Sequence, residues 1–227
     1  MNNYLVSKII FNHEFLFDIT GSIFFKKYKT LILADLHFGK GISLNDVGNI
    51  LPLYDFNETI ENLKKIIKRY NPSTIISLGD SFHNNNTLLN MTEEQINNIK
   101  ELTRKIRFIW INGNHDHDLC NKEKIGGEFC NDLKFRKFIF RHIKTSKITD
   151  QFEFSGHYHP KTYLKINKIK YYYKCFVVGK NFCILPSFGH YTGGIDIKSK
   201  ELKSQIDRNV EVLILGKRKI MQFDFQK

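Results

Sequence analysis

Histidines and carboxylates recur along this chain in short motifs that could bind divalent metal ions. The motifs are D-x-H, GD, GNHD, a separate histidine and GHYH, and they contain Asp35, His37, Asp80, Asn114, His115, Asp116, His142, His157 and His159. Mixed oxygen and imidazole ligands suit Mn²⁺, Fe²⁺ or Zn²⁺, whereas Mg²⁺ and Ca²⁺ prefer oxygen alone. The candidate ligands exceed the usual four positions of one zinc ion. The residues therefore favour two metal ions that share a carboxylate.

The first three motifs each follow a predicted buried strand. TLILADLH, STIISLGD and RFIWINGNHD are nearly continuous apolar runs that end in polar residues, as in strands covered on both faces. Two predicted helices, DFNETIENLKKIIKRY and TEEQINNIKELTRK, separate these strands. Alternating strands and helices indicate right-handed parallel units, whose carboxyl ends meet at one edge of the sheet. We expect the three motifs to converge there.

The two histidines of GHYH lie two residues apart. If QFEFSGHYH runs extended, side chains two apart share a face, and both imidazoles point at one spot. The same holds for Asp35 and His37 if the first strand continues through them. A lone histidine is more often a packed or surface residue, so the ordered set of motifs carries the prediction.

The rest of the chain predicts further strands. KFIFRH, KTYLKI, KIKYYYKCFVVG, NFCILPSF and NVEVLILGKRKIMQFDF read as strands after residue 120, short strands precede residue 30, and a loop contains Gly48 and Pro52. The predicted fold class is α/β, with a second sheet packed against the first. No linker separates the two halves, so residues 1–227 are expected to form one domain.

Composition and charge limit the functional classes. The chain has 227 residues and a net charge of +12, which favours polyanionic partners, although the basic residues are spread along the chain. The four cysteines have neither zinc-ribbon spacing nor the density of a disulfide framework. No apolar run approaches the ~18 residues of a membrane span, and the first residues lack a signal pattern. We expect a soluble, cytoplasmic protein without a membrane partner.

The ordered motifs resemble those of the calcineurin-like metallophosphoesterase superfamily, over about residues 31–194. The resemblance implies an α/β/β/α sandwich of two mixed sheets flanked by helices. It implies that Asp35, His37 and His159 hold one metal ion, that Asn114, His142 and His157 hold a second, and that Asp80 bridges them. His115 would act as general acid on the leaving group, and Asp116 would orient His115.

Four segments resemble one branch of the superfamily, the ligase-associated DNA damage response endonucleases (PdeM). These segments are LADLHFGKG, LGDSFHN, GHYHP and LPSFGHYTGG. The resemblance implies a phosphodiesterase or endonuclease that acts on DNA in repair, with DNA-repair proteins as further partners. Mn²⁺ is the favoured metal, with Fe²⁺ and Zn²⁺ as alternatives. A small-molecule phosphodiesterase or phosphatase and a non-catalytic, metal-stabilised scaffold remain open, as does the oligomeric state.

Two adjacent divalent ions can supply the hydrolytic chemistry without a protein nucleophile. Ions ~3.5–4 Å apart lower the pKa of a bridging water toward ~7, so that as hydroxide it is the nucleophile, and they clamp the phosphoryl group for in-line attack. A general acid on the opposite side typically contributes ~10²–10⁴-fold. Lys40, His83 and His190 are candidate substrate-binding residues at the rim. Surface or packing roles are equally compatible with His83 and His190, and a solvated side chain is the commoner role for a lysine such as Lys40.

The segment 161–174 combines basic and aromatic residues. Lys161, Lys165, Lys168, Lys170 and Lys174 are interleaved with Tyr163, Tyr171, Tyr172 and Tyr173. This pattern suits contact with a nucleic-acid backbone and stacking on its bases, and the strand preference remains open. An ordinary strand pair, with lysines outward and tyrosines half buried, explains the same pattern.

Overall fold

Two β-sheets packed face to face form the centre of the molecule. The computed structural model describes residues 3–41, 55–145, 150–190 and 192–226. The predicted loop with Gly48 and Pro52 lies outside these ranges. No helix in the described part of the chain is both long enough and apolar enough to cross a lipid bilayer.

The first sheet contains the three buried strands that precede the metal-binding motifs. Its order is β1 (Leu5–Ile10), β2 (His13–Asp18), β3 (Ile23–Phe25), β4 (Thr30–Leu33), β5 (Thr74–Leu78), β6 (Arg107–Ile111) and β7 (Glu128–Cys130). Neighbours from β1 to β4 are antiparallel, and neighbours from β4 to β7 are parallel. The predicted parallel arrangement of β4, β5 and β6 is confirmed.

Amphipathic helices connect these parallel strands. Helix α1 (Asp55–Tyr70) lies between β4 and β5, and α3 (Glu93–Lys105) lies between β5 and β6. A short helix, α2 (Thr87–Asn90), precedes α3. The side chain and backbone of Thr92 form a capping box with Gln95 that fixes the start of α3. Both predicted helices are confirmed, because their apolar positions recur at helical spacing and are buried on the sheet.

The second sheet is also mixed. It contains β8 (Asp132–Phe135), β9 (Phe138–Arg141), β10 (Phe152–Ser155), β11 (Lys161–Ile166), β12 (Ile169–Val178), β13 (Phe182–Ile184), β14 (Asn209–Leu215) and β15 (Ile220–Gln226). The order is β15-β14-β12-β13-β10-β9-β8, and β11 pairs with β12. Strand β10 runs parallel to β9 and β13, so these three strands end at the same edge.

Four layers result from this arrangement. Phenylalanine side chains fill the space between the sheets, α1 and α3 cover the outer face of the first sheet, and α4 (Lys200–Gln205) covers the second. The α/β/β/α sandwich is therefore confirmed. Helix α4 was not predicted from the sequence, because its six residues are too few for helical periodicity to be evident. Each fully buried phenylalanine contributes about 1.5–3 kcal/mol through apolar burial.

Replacing Phe154 by alanine tests the packing between the sheets. Its buried ring lies 5.4 Å from that of Phe140 and 5.2 Å from that of Phe15. We expect F154A to lower the free energy of unfolding by about 3–5 kcal/mol, since it leaves a cavity. Chemical denaturation measures this change. I166A, at a half-exposed position, should change it by less than about 0.5 kcal/mol, and equal losses in both variants would contradict the packing described.

Candidate metal centre

The strand ends of both sheets bring the predicted motifs to one edge of the molecule. Strands β4, β5 and β6 end at Leu33, Leu78 and Ile111, immediately before the first three motifs. In the second sheet, β9 and β10 end just before His142 and His157. Backbone hydrogen bonds join the loops, from the Asp35 N–H to the Gly79 carbonyl at 3.2 Å and from the His37 N–H to the Asp80 carbonyl at 2.9 Å.

Left-handed backbone conformations concentrate in these loops. The candidate residues with positive φ are Asp35 at 53°, His37 at 46°, Asp80 at 46°, His157 at 69° and His159 at 43°. Each such residue other than glycine costs of order 1–3 kcal/mol and persists only where its surroundings hold it. The expectation that the strands continue through these motifs is therefore wrong. In particular, His157 and His159 do not share the face of an extended strand.

Instead, the turns direct the two histidines of GHYH into separate clusters. The first donor group consists of Asp35, His37 and His159, and the second consists of Asp80, His142 and His157. Within each group, one potential ligand atom per residue lies within 4.8 Å of the others.

In the first donor group, the potential ligand atoms are in close contact. The Nε2 atoms of His37 and His159 are 3.3 Å apart, and His159 Nε2 is 3.3 Å from an oxygen of Asp35. Metal–ligand distances of about 2.0–2.2 Å correspond to ligands about 3–3.5 Å apart, so the group fits one ion. Burial lowers the pKa of His37 to about 3, although the negative charge of Asp35 acts to raise it. His37 is therefore neutral, as a metal ligand must be.

In the second donor group, three polar atoms surround a single imidazole nitrogen. His142 Nε2 lies 2.9 Å from Asn114 Oδ1, 3.1 Å from His157 Nδ1 and 3.2 Å from Asp80 Oδ2. One N–H cannot serve three acceptors well, whereas a cation among them can. Burial lowers the pKa of His142, but its hydrogen bond to Asp80 and the charges of Asp35 and Asp80 outweigh burial and raise it to about 9. The Nδ1 atom of His142 lies 2.9 Å from the Leu78 carbonyl, which fixes the ring.

The charge balance also fits divalent cations. Asp35 and Asp80 are 0% and 2% exposed. Within the described ranges, neither carboxylate has a lysine or arginine at ion-pair distance, and the side chains at that distance are histidines. Buried carboxylates require a nearby positive charge or several hydrogen bonds. A pair of divalent ions supplies such charge, and the donor set of this edge is suited to holding them.

Glycine stands immediately before several of these polar residues because the loops pass close to the carboxylates. A Cβ atom on Gly113 would occupy the space of the Asp80 carboxylate, and one on Gly156 would collide with the carboxylate of Asp35. The glycines of GNHD and GHYH are thus explained by close approach of backbone to buried ligands.

His115 lies at the solvent side of the centre. Its side chain is 45% exposed, and its backbone N–H donates to Asp80 Oδ1 at 2.9 Å. Its ring stacks on that of His83, with centroids 5.7 Å apart and planes 17° from parallel. Asp116 is buried, and its carboxylate accepts from the backbone N–H groups of Gly113 at 2.8 Å and Phe82 at 3.0 Å. Asp116 thus braces the loop that carries His115 through the backbone.

The three candidate rim residues lie in different settings. His83 lies in the histidine cluster, with its ring 6.0 Å from that of His37. Lys40 is half-buried. Burial lowers its pKa, although the negative charge of Asp55 acts to raise it. His190 Nδ1 lies 2.9 Å from a carboxylate oxygen of Glu58, on helix α1. His83 therefore lies beside the first donor group, and the charge of Lys40 also acts on His37 and His83, where it lowers their pKa values.

Sequence reasoning missed the position of Lys174. The alternating pattern places it among outward-facing lysines, but its ammonium donates to the carbonyls of Ser187 at 2.7 Å and Gly189 at 2.8 Å. Gly189 in turn donates its N–H to the Asp35 carbonyl at 3.1 Å. Burial lowers the pKa of Lys174 to about 8. The available signal was its place directly before the buried run CFV, where β12 enters the core.

Comparison with solved structures identifies the fold. The chain is similar to the Pseudomonas putida nuclease MPE, with a TM-score of 0.78 and 18% identity, covering 96% of this chain and 100% of that one. A protein of unknown function from Aquifex aeolicus, AQ665, gives a TM-score of 0.41 and 19% identity, covering 56% of this chain and 77% of that one. The phosphoesterase YfcE from E. coli gives a TM-score of 0.44 and 11% identity, covering 86% of this chain and 97% of that one.

Comparison of the sequence itself identifies the family. No curated protein matches the chain. The family model for calcineurin-like phosphoesterases matches residues 28–212, which include both donor groups and His115. The expected superfamily is thus confirmed by a match over most of the sequence. With its paired Asp and His clusters at the joined ends of two sheets, the chain belongs to the calcineurin-like phosphoesterase family.

Proposed function

We propose that this chain is a metal-dependent phosphodiesterase that cleaves nucleic acid. The observation that carries the proposal is the meeting of two Asp and His donor groups at one edge, beside the half-exposed imidazole of His115. Two supports favour nucleic acid over small phosphoesters: the net charge of +12 and the shared fold with a protein named as a nuclease. A cytoplasmic role in DNA repair and a single domain over residues 1–227 are part of the proposal.

The proposed ligands follow the two donor groups. Asp35, His37 and His159 would hold one ion, Asn114, His142 and His157 would hold the other, and Asp80 would be shared. Mn²⁺ is the first choice and Fe²⁺ or Zn²⁺ the alternatives, because imidazole and carboxylate are combined. When bound, such a pair of ions activates water and neutralises charge on the phosphoryl oxygens.

The side chains around the centre supply positioning and proton transfer. His115 is held through its backbone by Asp80 and through its ring by His83, so its imidazole has a fixed position at the solvent edge. From there it can donate a proton to the departing oxygen. Asp116 maintains this position by bracing the backbone of the same loop.

One experiment separates nucleases from other phosphoesterases. Purified protein with Mn²⁺ is incubated with nicked, single-stranded and circular DNA, and with bis- and mono-(p-nitrophenyl) phosphate. We expect cleavage of DNA and of the diester, and loss of both activities on chelation. Activity confined to the monoester would replace the proposal with a phosphatase. Bound metal without any hydrolysis would indicate a scaffold.

Substituting Asp80 tests the shared ligand. D80N removes a buried negative charge beside His142 while keeping the size of the side chain. We expect fewer bound Mn²⁺ ions per chain and a loss of hydrolysis of at least about 10²-fold, since metal-dependent charge stabilisation is worth several kcal/mol. Elemental analysis and diester kinetics measure the two effects. Full metal content together with normal turnover would exclude Asp80 as a ligand.

Substituting His115 tests the general acid. We expect H115A to keep its metal content and to lose about 10²–10⁴-fold in kcat for alkyl diesters, with a smaller loss for p-nitrophenyl esters, whose leaving group needs no proton. H117A is the matched control, because His117 is two residues away and 62% exposed, beside Asp118. If H115A cleaves an alkyl diester at the wild-type rate, the assignment is wrong.

A further inference from the structure

Strands β11 and β12 form a hairpin with one face of lysine and tyrosine. The cross-strand pairs are Lys161 with Lys174, Tyr163 with Tyr172, and Lys165 with Lys170. Side chains two apart along a strand lie on the same side, so these six residues share one surface, the Lys–Tyr face. The segment 161–174 contains no acidic residue.

The outer part of the Lys–Tyr face is open to solvent, whereas the inner part of the opposite face meets the core. On the opposite face, Thr162 is buried, and Leu164 and Tyr173 pack against the outer core of the second sheet. On the Lys–Tyr face, Tyr172 is 53% exposed. Strand β12 joins the large sheet only from Cys175 onward, so the outer hairpin projects as an arm.

Cations and aromatic rings alternate on this face at contact distance. The ammonium of Lys170 lies 4.5 Å from the ring centroid of Tyr163, and that of Lys161 lies 5.4 Å from that of Tyr172. The two tyrosine rings are 5.5 Å apart and steeply inclined to each other. Proteins that bind single strands combine a positive track for the phosphates with aromatic rings on which bases stack.

The base of the Lys–Tyr face adjoins the metal centre. Lys161 follows His159 in the chain by two residues, separated only by Pro160. Lys174, at the inner end of the face, donates to the Gly189 carbonyl, and the Gly189 N–H donates to the backbone of Asp35. The sequence next to His159 and these hydrogen bonds therefore link the base of the Lys–Tyr face to the first donor group.

We infer that the Lys–Tyr face binds a single-stranded segment of the polynucleotide substrate next to the cleaved bond. Lys161, Lys165 and Lys170 contact phosphates, while Lys174 anchors the base of the face through the Ser187 and Gly189 carbonyls, and Tyr172 stacks on a base. A duplex keeps its bases stacked on one another and offers no free ring to Tyr172, whereas an acidic peptide offers charge without bases. The inference rests on the proposed function for its substrate, but its binding test is independent of hydrolysis.

Neighbouring tyrosines on opposite faces of β12 provide the test. Binding of a fluorescent oligo-dT to the full chain is measured by anisotropy in EDTA, which prevents cleavage. We expect Y172L to weaken binding about 10-fold, because one base no longer has a ring to stack on. Y171L is the matched control, because Tyr171 is 44% exposed on the other face. Y171L should stay within about twofold of the wild type, and an oligonucleotide of the same length without bases should bind Y172L and wild type equally.

Two lysine pairs test the electrostatic part. We expect the double variant K165Q and K170Q to reduce the slope of log affinity against log salt by about 1.4, or about 0.7 for each phosphate that is no longer neutralised. The control is K217Q with K219Q, two exposed lysines at the turn between β14 and β15. It should leave the slope unchanged.

Several results would overturn the inference: equal losses in Y171L and Y172L, undiminished affinity of the wild type for the base-free oligonucleotide, or displacement of oligo-dT by polyglutamate at equal charge. Wild-type hydrolysis of bis-(p-nitrophenyl) phosphate with Mn²⁺ is measured in parallel. Absence of this hydrolysis would contradict the proposed function. The binding comparison would still decide whether the Lys–Tyr face recognises single strands.

Discussion

Two buried carboxylates, Asp35 and Asp80, set the requirements for the whole metal centre. In the described part of the chain no lysine or arginine pairs with them, and they accept backbone N–H groups from His157 at 3.0 Å and His115 at 2.9 Å. The remaining compensation comes from imidazoles, above all His142. A charged His142 and a divalent cation offset the same carboxylates, so metal binding and proton release are coupled at this residue.

The backbone satisfies this constraint with strained loops on a rigid base. Short turns with left-handed residues bring side chains from the ends of both sheets within bonding distance of one another. Such turns cost free energy, which the phenylalanine core between the sheets offsets through apolar burial. The glycines beside the carboxylates have the same origin, since any side chain there would occupy space needed by Asp35 or Asp80.

Sequence alone predicted the parts of this arrangement that follow from periodicity. The apolar runs identified β4, β5 and β6, and parallel connection implied that Asp35, Asp80 and Asn114 meet at one edge. The left-handed turns at His157 and His159 were not predictable, because positive φ is uncommon for residues other than glycine, even though histidine adopts it more often than most. The inward path of Lys174 was also missed, since a lysine in an alternating strand ordinarily faces solvent.

Selectivity among phosphoesters has to arise outside the two donor groups. Metal ions held there would act on the phosphoryl oxygens and the attacking water, which monoesters and diesters share. The centre alone would therefore not distinguish a nucleotide polymer from a small ester. The surfaces that differ between such substrates are those that contact the leaving group and the flanking chain. In this protein His115 lies at the solvent side of the metal centre. The Lys–Tyr face begins at Lys174, which bonds to the Gly189 carbonyl next to the first donor group. Because Lys174 belongs to that face and also bonds to the segment that supports Asp35, contacts made along the arm are structurally connected to the first donor group.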